Sequence, residues 1–149
     1  MDLVSMLDAR LVRFDFEVSD KHDAICKISQ LMFDAGKISD KETYITGVLE
    51  REEEQSTGIG MGIAIPHCKS DCVKEASFTL IKLRRAIEWD AVDDQLVEYI
   101  IMLAAPNTSD NIHLKVLSRL AVCLTDNDFR EKLLRITTMD ELRVLFERL

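Results

Sequence analysis

The side chain in this sequence best placed to do chemistry is His67, at the end of an unusual run, GIGMGIAIPHCKSDC (residues 58–72). Three of the five glycines fall between Gly58 and Gly62, where they let a backbone approach a ligand or partner with no side chain in the way. Pro66 holds its own φ and biases Ile65 toward extended geometry, so His67 rides on a stiff mount. A neutral imidazole, with an ordinary pKa of about 6.5, is a usable nucleophile at neutral pH. A phosphoryl group held on one ring nitrogen needs donors nearby, and His113, Arg51 and Thr57 are the candidates. The demand on such a site is positioning plus electrostatic stabilisation.

His113 falls in the first turn of a helix that follows an apolar strand, Val97 to Ala104. It shares a helix face with Val116, Leu117 and Leu120, at offsets of three, four and seven, so it points inward over the sheet edge. If the two strands before His67 and His113 run parallel in one sheet, both histidines lie at the carboxyl edge, where α/β folds bind ligands. A helix N-terminus there adds unpaired N–H groups and a positive dipole end for an anion.

Blander readings stand beside this one. A histidine after a strand also serves as a hydrogen-bonded structural residue, and His113 as a half-buried helix-face residue. His22 lies in the first turn of an earlier helix, without a glycine run near it. His67, His113, Cys68 and Cys72 could be metal ligands. However, neighbours in extended chain point opposite ways, which disfavours both a His67–Cys68 ligand pair and a Cys/His catalytic pair.

Composition narrows the class. The chain has 149 residues, 47% apolar and 31% charged, with a formal charge of −8. That suits one globular domain with a sizeable core. The acidic balance argues against nucleic acid, which calls for a basic face, and suits a protein partner with a basic docking surface. No apolar run approaches the ~20 residues of a membrane span, and MDLVSMLDAR lacks the features of a secretory signal, so a cytoplasmic protein without direct membrane insertion is expected. Cys68 and Cys72 are spaced C-x3-C, unlike the usual zinc or redox pairs. The reading requires neither metal nor cofactor.

The elements that must position these residues follow from periodicity. Residues 11–18 alternate as a half-buried strand. Asp20 caps a helix to about Ala35, stopped by Gly36. Ser39-x-x-Glu42 reads as a capping box for a second helix with Tyr44, Ile45, Val48 and Leu49 on one face. That helix ends in a solvated Glu50–Glu54 face. Strands are expected to end at Ile65, over Ser77–Leu83, at Ala86–Trp89 as a short edge, and over Val97–Ala104 as a strand buried on both faces. Helices follow from about Asp110 to Leu124, from Asp126 to Leu134, and after the capping box Thr138-x-x-Glu141. The sum is a single layered α/β domain over residues 1–149.

The run from Glu52 through STGIGMGIAIPHC closely resembles the signature of the IIA components of the fructose/mannitol class of the bacterial phosphoenolpyruvate-dependent sugar phosphotransferase system. LEREEEQSTGIG upstream and IHLKVLSRLA downstream extend the likeness over nearly the whole chain. The resemblance implies a mixed, mostly parallel sheet with helices on both faces, and a phosphohistidine carrier. His67 would take the phosphoryl group from the phosphocarrier HPr and pass it to a cysteine of a IIB component on a separate chain. IIB would then phosphorylate sugar moved by the membrane component IIC. By motif, His113 and Arg51 would support the phosphoryl group. The sugar could be fructose, mannitol or galactitol. The alternative is a regulatory homologue of the nitrogen type, which shares the fold and histidine but acts by binding other proteins.

Overall fold

The computed structural model describes residues 3–108 and 111–148, without the side chains of Ile112 and His113. A short helix, α1 (Leu3–Met6), and a 3-10 turn at Ala9–Leu11 lead into β1 (Val12–Phe16). The alternating run 11–18 is thus a strand only in its middle. Asp20 caps α2 (Lys21–Asp34) by accepting from the Asp23 N–H, and Gly36 follows with φ +75. The next helix, α3 (Lys41–Glu54), is capped by Asp40 rather than by Ser39. Asp40 takes both the N–H and the hydroxyl of Thr43, while the Ser39 hydroxyl donates to the Cys72 carbonyl.

The glycine run forms a tight hairpin, β2 (Gly58–Gly60) against β3 (Ile63–Ala64). Gly60, Met61 and Gly62 all have positive φ in its turn, and the Asp93 carboxylate accepts the Met61 N–H at 2.8 Å. The remaining strands are β4 (His67–Ser70), β5 (Ser77–Phe78), β6 (Leu80–Ile87), β7 (Val97–Ile100) and β8 (Leu103–Pro106). Three helices follow: α4 (Ile112–Thr125), α5 (Asn127–Arg135) and α6 (Met139–Glu147). Asp126 caps α5 and Thr138 caps α6, the latter by accepting from the Glu141 N–H. Asp110, expected near the start of α4, lies outside the described residues.

Two of the expected strands are each broken in two, and the strands divide into two sheets. Five strands run in the order β1-β6-β7-β3-β2 and three in the order β4-β8-β5. The break passes through Thr79, where a side chain replaces a ladder partner. The Met102 N–H donates to Thr79 Oγ1 at 3.0 Å, and the Thr79 N–H donates to the Met102 carbonyl at 2.9 Å. On the other side the break passes through Pro66, which has no N–H to offer a ladder. Parallel pairing nevertheless carries across it, from Ile63 beside Tyr99 to His67 beside Leu103. Three pairings are parallel (β1–β6, β3–β7, β4–β8) and three antiparallel (β2–β3, β5–β8, β6–β7). Ala86 and Ile87 finish β6 instead of forming an edge strand, and Trp89 turns into the core, 1% exposed.

Successive strand residues point to opposite faces, and here they feed two cores. Ala64, Ile81, Ile100 and Ala104 pack with α2 and α3. Ile63, Leu80, Tyr99 and Leu103 pack with α1, α4, α5 and α6. Helices therefore cover both faces of a mixed sheet, as the resemblance implied, with parallel and antiparallel pairings in equal number among the described residues instead of mostly parallel ones. No helix among the described residues is long and apolar enough to cross a membrane.

The hairpin closes on the chain after β6 with no room to spare. A Cβ at Gly58 would stand 2.8 Å from the Ala91 Cα and 3.1 Å from the Trp89 ring, while the Gly58 carbonyl accepts the Val92 N–H at 3.0 Å. A methyl group here must push backbone apart. Gly58→Ala is expected to lose about 1–3 kcal/mol, the usual cost of overpacking, read as a lower urea midpoint at unchanged m-value.

Candidate functional site

His67 opens β4 directly after Pro66, in the gap between the two sheets. Its Nδ1 lies 2.8 Å from the Ile65 carbonyl oxygen. A carbonyl can only accept, so Nδ1 carries the proton and, in the neutral ring, Nε2 carries the lone pair. The half-buried ring titrates below its usual range. Burial is the main cause, and the bond to the Ile65 carbonyl opposes it; the Arg51 charge lowers the pKa further while the Glu52 charge raises it. At neutral pH the side chain is a neutral imidazole with a defined nucleophilic nitrogen.

A pocket of about 370 Å³ contains His67 together with Gly47, Glu50, Arg51, Glu54, Cys68 and Lys69. Arg51 comes from the last turn of α3, which packs against β4. Gly47 permits that packing, since a Cβ there would fall 2.4 Å from Cys68 Sγ. Arg51 therefore does stand beside His67, with its guanidinium anchored by a 2.7 Å bond to the Gln55 carbonyl. Lys69 brings a second cation, two residues along β4 and so on the His67 side of the strand.

Thr57 has a different place from the one expected. It is buried, and its hydroxyl and N–H both go to the Glu52 carboxylate. Its hydroxyl proton is committed beneath the site, so Thr57 is withdrawn as a donor to a phosphoryl group. Glu52 is likewise no part of a solvated face: its side chain is 4% exposed and pairs with Lys21 at 2.9 Å. His113 is the second residue of α4, and its side chain falls outside the described residues. His22 belongs to α2, with Nδ1 3.7 Å from Cys26 Sγ. The Cys68 thiol is pushed up to about 11, first by burial and then by Cys72 and Glu50, so it is protonated at neutral pH. Among the described residues no group of three His, Cys, Asp or Glu side chains could hold a metal ion.

Gly47, Lys69 and Glu52 were missed in the sequence. A lone glycine inside a helical pattern signals close packing, and the i, i+2 spacing from His67 marks Lys69. Nothing in a run of glutamates distinguishes the buried one.

Residues 5–148 match the family described as phosphoenolpyruvate-dependent sugar phosphotransferase system, EIIA 2. The chain belongs to that family. Among its relatives, the PTS system fructose-specific EIIA component of Haloferax volcanii is 34% identical over 133 residues, covering 89% of this chain and 86% of that protein. The PTS system fructose-specific EIIABC component of Bacillus subtilis is 31% identical over 140 residues, covering 94% of this chain but 22% of that longer protein. The nitrogen regulatory protein IIA-Ntr of Neisseria meningitidis has a similar structure, with a TM-score of 0.88 at 28% identity over 97% of this EIIA chain and 98% of that one. This EIIA chain is thus of the phosphoryl-carrier type, and its mixed sheet with helices on both faces is the family's architecture.

The electrostatics of His67 can be read directly. Its NMR titration should have a midpoint below about 6.5, and Arg51→Ala should move that midpoint upward, because a cation that disfavours imidazolium is gone. By linkage, the stability this ring contributes is complete above the unfolded pKa and is lost as pH falls through the folded one. A downward move in Arg51→Ala would contradict the assignment of Arg51 as the neighbouring cation.

Proposed function

We propose that this EIIA chain, working as one domain in the cytoplasm, accepts a phosphoryl group from histidine-phosphorylated HPr on Nε2 of His67 and delivers it to a cysteine of a IIB component. The observation that carries this reading is the 2.8 Å contact between His67 Nδ1 and the Ile65 carbonyl, on a ring that opens into a pocket with Arg51. The Nε2 lone pair attacks phosphorus, the N–P bond of the donor breaks, and its electron pair leaves with the donor ring. The proton on Nδ1 stays against the Ile65 carbonyl throughout. It leaves the phosphorylated ring cationic, which makes it a good leaving group when a thiolate attacks in the next transfer.

Arg51 supplies positive charge to the phosphoryl oxygens, with Lys69 beside it, and His113 is assigned the same role by its place in the motif. Neither a metal nor a cofactor takes part. Glu50 and Glu54 on the pocket rim, with the net charge of −8, favour a basic docking face on the partner. The kinship with fructose-specific proteins supports sugar uptake, through IIB and indirectly the membrane component IIC, with fructose as the first sugar to test. The structural likeness to IIA-Ntr supports the second reading, a regulator whose phosphorylation state controls binding to other proteins. Reconstitution with IIB and IIC separates the two: sugar phosphate forms only under the first.

Incubation with phosphoenolpyruvate, enzyme I and HPr should add one acid-labile, base-stable phosphoryl group, and phosphorus-coupled NMR should place it on Nε2. His67→Ala should take up none. Arg51→Ala and His113→Gln should still be phosphorylated but transfer more slowly, by up to ~10²-fold, the low end of the cost of losing one well-placed donor. Phosphate retained in His67→Ala would overturn the assignment.

A further inference from the structure

The buried carboxylate of Glu52 has three donors and lies below the site instead of in it. Oε1 accepts from Lys21 Nζ at 2.9 Å and from the Thr57 N–H at 3.2 Å, and Oε2 accepts from the Thr57 hydroxyl. Thr57 in turn offers its carbonyl to the Ile65 N–H at 3.0 Å, and Ile65 offers its own carbonyl to His67 Nδ1 at 2.8 Å. Three steps, the first of them a pair of hydrogen bonds, thus join a buried anion to the ring proton that leaves Nε2 with its lone pair.

The far end of this path is anchored as well. Lys21 Nζ stands 5.1 Å above the Trp89 ring and donates to the Trp89 carbonyl at 3.3 Å, which also accepts the Ser56 hydroxyl at 3.1 Å. Residues 56 and 57, just ahead of the hairpin, are therefore gripped from α3 and from the chain after β6, and Lys21 of α2 ties those two grips together. A purely structural role calls for no charge here, because an apolar group of similar volume often fills a buried ion-pair site at equal or better stability. What a carboxylate with two used oxygens supplies is direction: it fixes both donors of Thr57 at once. The Ala64–Ile65 peptide unit is held from both sides, its carbonyl by the Ile101 N–H at 2.9 Å and its N–H by the Thr57 carbonyl at 3.0 Å. Because the Thr57 N–H goes to Glu52, the Ile65 carbonyl is left for the imidazole.

We propose that Glu52 is a positioning residue for His67, acting through Thr57 and Ile65 to hold the ring in the Nδ1–H tautomer and to aim Nε2 at the incoming phosphorus. Arg51 and Glu52 are consecutive residues on α3, about 100° apart around the helix. Arg51 reaches the phosphoryl side of the pocket and Glu52 the supporting side. The proposal rests on the phosphoryl-carrier reading of His67.

The test compares Glu52→Ala, Glu52→Gln, Thr57→Val and Thr57→Ser with the native chain, at a temperature where thermal melts find each folded. Two quantities are read: the His67 tautomer, by long-range ¹H–¹⁵N correlation, and the single-turnover rate of phosphoryl uptake from phospho-HPr. The native ring should be almost wholly Nδ1–H. Glu52→Ala and Thr57→Val should show mixed tautomers and uptake about 10-fold slower or more, as expected of a nucleophile slightly misaimed. Thr57→Ser, which keeps the hydroxyl, should recover native behaviour, and Glu52→Gln, which keeps one accepting oxygen, should fall between. Folded Glu52→Ala and Thr57→Val with the native tautomer ratio and rate would reduce Glu52 to a buried ion pair and overturn the proposal. If Glu52→Ala does not fold, the Thr57→Val and Thr57→Ser pair decides alone. A native chain that takes up no phosphoryl group would refute the carrier reading, and the tautomer comparison would still judge the Glu52 link.

Discussion

Pro66 brings no N–H to a parallel ladder, and the arrangement of the site follows from that missing donor. β3 stops at Ala64 and β4 starts at His67, and between them the Pro66 carbonyl still accepts from Leu103 at 2.9 Å while the matching donor is missing. The Ile65 N–H bonds the Thr57 carbonyl, one step beyond the Gly58–Ala64 pair of the hairpin, and the Ile65 carbonyl turns to the imidazole. Had the Thr57 N–H completed that antiparallel pair instead of donating to Glu52, the Ile65 carbonyl would be spent on it and the ring would have no fixed acceptor for its proton. A break in a sheet is normally a loss of cohesion. Here β7 and β8 run alongside the same discontinuity, with backbone bonds from Ile101 to Ala64 and from Leu103 to Pro66 bracketing it, so the opening is local and rigid.

The two-core architecture explains why such an opening can be supported. Each strand sends alternate residues to α2 and α3 or to the helices α1 and α4–α6, which presses the broken strands from both sides. Tyr44 of α3 donates its phenol hydrogen to the Leu103 carbonyl at 2.9 Å, tying the helix that carries Arg51 to the strand beside His67. The same helix approaches β4 closely at Gly47 and sends Glu52 inward. His67, the Arg51 cation beside it and the buried Glu52 carboxylate thus all depend on one helix docked on one strand.

Much of this was legible in the sequence, and the gaps have physical reasons. The helices after Asp20 and Thr138 were announced by their caps, because an N-cap is local chemistry. The layered α/β class followed from alternation and periodicity. The proline and glycines around His67 marked the candidate nucleophile. The breaks at Thr79 and Ile101–Met102 were hidden, since apolar runs such as Val97–Ala104 continue through them and only a side-chain oxygen from a distant segment interrupts the ladder. Ser39 and Asp40 are both plausible caps, and the choice was made by the Cys72 carbonyl, which claims the Ser39 hydroxyl. Thr57 looked available because its partner, Glu52, sits in a stretch of five residues with four glutamates, and burial of one of them depends on where Lys21 lies.

Cys68 puts a thiol in the same pocket as the histidine. A thiol next to a high-energy phosphoryl group is a rival acceptor, and a carrier that passed its cargo to its own neighbour would be a dead end. The defence is acid–base: burial pushes the thiol up to about 11, so the nucleophilic thiolate is a minor form at neutral pH. An acceptor cysteine on another protein needs only an ordinary or lowered pKa to outcompete it. Under the proposed carrier role, partial burial of one side chain would thus favour forward delivery over self-modification.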